Sequence, residues 1–244
     1  MLRNLTIAGT DRAMREACGG LLSEPDKFAI NGVRFAGAWG LPARVTCPTG
    51  SKLAENSASP CAACYGVKGR YGCRNVKHAQ DTRLRALESA CDAGEGSIAW
   101  NAWINAFADS VLAHGFRLFR FHDTGDVYRA EYASLIIAVV ERCPDVTFWL
   151  PTQEHSLWRK LAALGRVPAN LIVRYSARRV DFFSADHVDA IARADASGEV
   201  WSGVQRDAVA PRGAVVCSCG TRGNCGHCRA CWNPRVSVVL YPIH

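Results

Sequence analysis

The chain has 244 residues, of which 49% are hydrophobic, enough for a core that needs no metal to hold it together. Lysine and arginine exceed aspartate and glutamate by 29 − 22 = +7, a surplus spread along the chain that can offset anionic metal–thiolate centres or serve a polyanion. No window reaches the ~18 apolar residues of a membrane span, and Asp11 and Glu16 interrupt the N-terminus, so neither a membrane contact nor a signal peptide is expected.

A cytoplasmic protein keeps its thiols reduced, and 12 cysteines there are read as ligands before disulfides. Residues 1–43 read as an irregular lead-in with the aromatic cluster Phe28, Phe35 and Trp39. RVTC then predicts a strand ending at Cys47. Apolar residues at Val76, Ala79, Leu84 and Leu87 predict an amphipathic helix over 74–91. Ser97 is placed to cap a second helix over 98–114.

From there strands and helices alternate. FRLFRF (116–121), VTFWLP (146–151) and LIVRYS (171–176) are strands. Helices are expected over 131–143, stopped by Pro144, over 156–165, closed by a glycine, and over 185–194. EVWSGV, AVVC and VSVVLYP follow as short strands. This alternation predicts an α/β fold with a mainly parallel sheet: a complete or partial TIM-type barrel first, an open doubly wound sheet second. The barrel-like part spans 44–212, and 213–244 forms a cysteine-rich segment with a closing strand. Thr124-Gly125-Asp126 is not a dinucleotide fingerprint, and no phosphate-binding loop occurs, which argues against nucleotide hydrolysis and NAD chemistry.

Cysteines fall into two groups. Cys47, Cys61, Cys64 and Cys73 form the first, with Cys61-Ala-Ala-Cys64 able to present two thiolates to one metal or cluster. A structural zinc or a pair of small core residues is the plainer reading. In the second, Cys225, Cys228 and Cys231 have the C-x2-C-x2-C spacing of ferredoxin-type ligation, with Cys217 or Cys219 as fourth ligand and His227 as an outside candidate. Cys18, Cys91 and Cys143 stand alone and read as core or cap residues.

The segments CPTGSKLAENSASPCAACYGVKGRYGCRNVKHAQ, FRFHDTGDVY and CGHCRACWNPRVSVVLYPIH resemble the gene-product-88 family of mycobacteriophages and actinobacterial mobile elements over roughly residues 40–244. The resemblance matches Cys47, Cys61, Cys64 and Tyr65 to the family's first motif and puts Cys73 outside it. It implies three thiolates at the first site, hence a [4Fe-4S] cluster with one open iron. That arrangement is similar to radical S-adenosylmethionine enzymes. Two departures stand out: thirteen residues separate Cys47 from Cys61 where those enzymes have three, and no GGE-like segment follows the next strand.

Polar residues gather where strands end. His122, Asp123 and Asp126 follow FRLFRF and are the catalytic candidates, with a helix cap as the alternative for Asp126. Thr152 and Gln153 after VTFWLP, and Arg174 and Ser176 in LIVRYS, are cofactor-binding candidates with Tyr65. Arg70, Arg74, Lys77, Arg83 and Arg85 suit phosphate contacts or a solvated helix face.

The expectation is an iron–sulfur enzyme with two [4Fe-4S] clusters, with S-adenosylmethionine as a candidate ligand. Its substrate would be a small molecule or a nucleic acid, and its partner an electron-donor protein. The alternative is a zinc-containing nucleic-acid-binding protein, and a passive electron carrier ranks last.

Overall fold

The computed structural model describes residues 5–183, 188–206 and 210–243. Its centre is a seven-stranded, all-parallel sheet: β3 (Ala36–Trp39), β4 (Leu118–Phe121), β5 (Thr147–Thr152), β6 (Leu171–Ser176), β7 (Val200–Gln205), β8 (Ala214–Val216) and β9 (Val238–Pro242). The order is β3-β4-β5-β6-β7-β9-β8. Five successive strands therefore lie side by side in chain order, without the reversal of a doubly wound sheet. A small antiparallel ladder, β1 (Ala29–Ile30) with β2 (Val33–Arg34), precedes them.

The segment expected to be irregular holds a helix and three short strands. α1 (Ile7–Ala17) starts where Thr6 accepts the Gly9 N–H, and it packs on α4 (Ile98–Ala113). The first sheet strand is AGAW, not RVTC. Arg44 has a φ of 69° and Pro42 and Pro48 flank the stretch, so RVTC turns instead of extending. Cys47 consequently sits at the N-cap of α2 (Pro48–Leu53).

Remaining elements follow the expected alternation. α3 (Arg74–Ala93) and α4 link β3 to β4, with Ser97 accepting the Trp100 N–H. α5 (Ala130–Arg142), α6 (His155–Ala163) and α7 (Val188–Ser197) link the next strands, and a short α8 (Cys219–Arg222) follows β8. The predicted start of the helix after β6, residues 185–187, lies outside the described residues. No described helix is long and apolar enough to cross a membrane.

Strand side chains alternate between two faces. Trp39, Phe119, Phe121, Phe148 and Leu150 face the helices and pack with Trp103 and Phe107 of α4. The opposite, inner face carries Ala36, Ala38, Trp149 and Val239. Phe28 from the N-terminal region and Cys231 and Trp232 from the C-terminal segment cover it. The cysteine-rich segment is thus part of the core, not an appendage.

Candidate functional site

The first cysteine group sits beyond the carboxyl ends of the strands, where parallel α/β sheets carry their sites. Two ties hold it there. Glu154, just past β5, accepts the Thr49 N–H at 2.7 Å and the Thr49 hydroxyl at 2.8 Å, fixing the first turn of α2 behind Cys47. Asp126 donates its backbone N–H to the Thr46 carbonyl at 3.2 Å. Cys61 lies in a 3-10 turn, Pro60–Ala63, where Ser59 Oγ accepts its N–H at 3.2 Å. Cys47, Cys61, Cys64 and Asp126 interact electrostatically. Burial, reinforced by Asp126, pushes the Cys47 thiol up to about 12, and burial also raises Cys61.

Asp126 is itself buried. It accepts the Thr152 hydroxyl at 2.8 Å, the Gln153 N–H at 2.7 Å and the Val127 N–H at 2.8 Å. Burial still raises its carboxyl to about 7. It does not cap α5, whose N-cap is Arg129. Thr152 and Gln153, expected to face a cofactor, are committed to Asp126 through the hydroxyl of one and the N–H of the other. Gln153 Oε1 remains without a partner among the described residues.

Asp123 lies beneath the CxxC loop. Its carbonyl accepts the Tyr65 hydroxyl at 2.5 Å, and its carboxylate accepts the Tyr71 hydroxyl at 3.1 Å. Gly40 makes room for it, since a Cβ there would collide with Asp123 Oδ1. Gly125, at a φ of 83°, bends the loop back towards Leu41 and Thr46. Tyr65, matched to the cofactor from sequence, therefore joins the CxxC turn to the end of β4.

His122 is not brought to this group. Its Nε2 lies 2.7 Å from the Tyr132 hydroxyl of α5, and its ring faces Phe121 and Tyr132 in the helix layer. Burial lowers its pKa to about 3, which keeps it neutral. Alternation along β4 would have turned it to the inner face, yet its ring lies against Phe121 and Tyr132 on the helix side.

Arg120 was missed from sequence, although the alternation of FRLFRF points it inward. It is buried, donates to the Tyr65 hydroxyl at 3.1 Å and lies 4.6 Å over the Trp149 ring, and its Nε has no partner among the described residues. Trp149 in turn meets Trp232 edge-on at 5.2 Å and stacks on Tyr241 at 6.4 Å. Cys231 Sγ lies 3.3 Å from the Tyr241 hydroxyl. A continuous line of side chains thus runs from the first cysteine group to the second.

The second group gathers Cys217, Cys219, Cys225, Cys228 and Cys231 in mutual electrostatic range. Cys219, left open from the spacing, belongs to the gathering: its N–H faces the Cys217 thiol and its side chain bonds Cys225. Burial raises Cys225 to about 12 and Cys231 to about 11. Cys225 donates its N–H to the Lys27 carbonyl at 2.9 Å. Among the described residues no carboxylate pairs with Lys27 or Arg120. Arg120 and then burial lower Lys27 to about 8.

Arg174, expected at a cofactor, serves this segment instead. Its guanidinium donates to the carbonyls of Cys231, Trp201, Val236, Ala230 and Asn233 at 2.8–3.4 Å. Those bonds occupy the five N–H groups an arginine has. Ser176 Oγ lies 3.4 Å from Ser202 Oγ and its carbonyl faces His155, so it too is engaged within the fold.

Cys73 is exposed and faces the Gly69 carbonyl, whereas Cys18 and Cys143 are buried core residues facing carbonyls of α4, and Cys91 is buried in α3. Among the described residues no three His, Cys, Asp or Glu side chains close on a single metal ion. One zinc draws four thiolates to about 2.3 Å, whereas a cubane spreads them over four irons and holds them farther apart. Both donor sets suit a thiolate-bound centre: burial raises Cys47 and Cys61 in the first and Cys217, Cys225 and Cys231 in the second. Lys27 and Arg120 stand beside the second without an ion pair among the described residues.

No curated protein and no solved structure matches the chain. The sequence profile of the Gene product 88 family matches residues 15–234, and the chain belongs to that family.

Proposed function

We propose that the protein is an iron–sulfur enzyme on a partial (β/α) barrel. Cys47, Cys61 and Cys64 would hold a [4Fe-4S] cluster with one open iron. Four of the second group, Cys217, Cys225, Cys228 and Cys231 with Cys219 as the competitor for Cys217, would hold another. The sequential strand order supports the barrel reading, being that of a barrel built part of the way round. One observation carries the reading: three half-buried thiols and a buried carboxyl, Asp126, meet at the carboxyl ends of the strands.

When bound, the open iron would supply a Lewis-acid or reducing centre, with S-adenosylmethionine as the first ligand to try. The chain's own residues have plainer tasks. Glu154 and Ser59 hold the loops that carry the thiols. Asp126, poised near neutrality, can keep or release a proton beside Cys47. Asp123 and Tyr65 set the CxxC turn against β4, and Arg120 places a fixed positive charge between the two groups.

Iron, acid-labile sulfide and zinc per chain, measured on protein purified without oxygen, test the proposal. About eight irons with equal sulfide are expected. Cys64→Ala should lower this to about four while the far-ultraviolet circular dichroism stays unchanged. Zinc without iron would reject the enzyme reading and leave a zinc protein.

A further inference from the structure

We infer that the rim around the first cysteine group is a docking surface for single-stranded nucleic acid. Charge segregation is the first support. Between Arg44 and Lys77 the only acidic residue is Glu55. Arg44, Lys68, Arg70, Arg74, Lys77 and Arg178 are all exposed, and none forms an ion pair among the described residues. Several arginines elsewhere are matched, Arg129 with Asp92 and Glu131, Arg159 with Glu199, Arg34 with Glu24 and Asp26, while others such as Arg12, Arg15 and Arg166 are exposed without an ion pair among the described residues. The segment from Arg44 to Lys77 is thus locally cationic, six lysines and arginines against one glutamate.

These cations converge on the cysteine loops. Arg44 donates to the Cys61 carbonyl at 3.5 Å. The loop carrying Arg178 joins the first cysteine segment through the Val180 N–H, which donates to the Ala58 carbonyl at 2.8 Å. Arg74, Lys77 and His78 line an open depression of about 430 Å³ with Gly72 and Asp81. Cations on several separate segments cannot all meet one phosphate, but they can follow a row of them.

Exposed aromatic rings are the second support. Tyr65 is 44% exposed although its hydroxyl is bound inward to Asp123 and Arg120, so its ring is fixed while part of it faces solvent. Phe182, on the loop that meets Ala58, is 39% exposed. Fixed aromatic faces beside a cationic track are what unpaired bases stack upon, and a duplex hides those base faces. Binding stands independently of the iron–sulfur reading. That the bound strand is the substrate rests on that reading.

The experiment is fluorescence anisotropy of a labelled oligo-dT of about 20 nucleotides, longer than the ~4–16 nucleotides that a single-strand-binding OB fold covers. The probe is titrated with the full chain purified without oxygen, and iron is assayed on every sample. Affinity should fall at least tenfold between about 50 and 200 mM salt. Arg70→Ser/Arg74→Ser/Lys77→Ser should weaken binding at least tenfold. Arg12→Ser/Arg15→Ser/Arg166→Ser, which removes the same charge from exposed positions elsewhere, should change it less than twofold. Tyr65→Ala should lose about fivefold or more for the single strand while Tyr65→Phe keeps it. Equal losses in the two triple variants, equal affinity for a duplex, or no binding at low salt would overturn the inference. Lost binding with iron intact removes the docking surface alone, and intact binding without iron removes the enzyme reading alone.

Discussion

Arg120 and Arg174 project onto the same inner face of the sheet, from β4 and β6, and their surroundings differ in kind. Arg174 is saturated, with five backbone carbonyls around its guanidinium, and it fastens the segment from Ala230 to Val236 to the sheet. Arg120 has one hydroxyl, one aromatic face and an unmatched Nε. The first is how a protein uses a buried cation as a clamp: neutral acceptors in number, with no carboxylate needed. The second leaves charge and donor capacity unspent beside two groups of thiols. The region around β6 is built for rigidity, and the region between β4 and the cysteine loops keeps its polarity available.

Substitutions can break this contrast. Arg174→Met should be the most damaging, costing on the order of 3 kcal/mol, because it leaves five buried carbonyls short of a donor. Urea unfolding measures it, and a loss below about 1 kcal/mol would show that Arg174 is no clamp. Acid should act next. Burial, with Arg178 adding to it, lowers His155 from its usual 6.5 to about 4. The unfolded chain therefore binds the extra proton first. His155's contribution is complete above pH 6.5 and fades as pH falls towards 4, by on the order of 2 kcal/mol. Unfolding of His155→Gln should lose that part of the slope. An unchanged slope would mean that His155 is not held neutral.

Smaller effects sharpen the picture at the mouth. Thr152→Val removes one of three donors to Asp126 and should cost about 1 kcal/mol in thermal unfolding. Glu154, left in place, should keep α2 anchored. Arg120→Met should change stability by less than about 1 kcal/mol in either direction, since it removes a half-satisfied buried cation. A loss as large as that of Arg174→Met would erase the distinction between the two arginines.

Much of this was readable from the residues. The alternation after residue 115, the Ser97 cap and the Pro144 stop all depend on local signals, and the structure has them where those signals lie. β3 escaped because AGAW is short, lacks β-branched residues and contains a glycine, while RVTC has the better strand composition but is bent by its flanking prolines. Arg174 looked like a ligand because a charge inside an apolar strand has no local explanation. Four of its five partners lie 55 or more residues further along the chain, and no periodicity announces them. Lys27 was invisible for the same reason, since its neighbours Cys219 and Cys225 meet it only through the tertiary fold.

The placing of β9 between β7 and β8 sets an order of events during synthesis. β8 leaves the ribosome first, yet its sheet partner is β9, made more than twenty residues later. Until β9 arrives, the arm from Cys217 to Cys231 hangs from an unpaired strand, and Trp232 has not yet closed over the inner face. Non-local strand pairing of this kind is slow. That delay is an interval in which Cys231, buried in the finished core, still stands open to solvent.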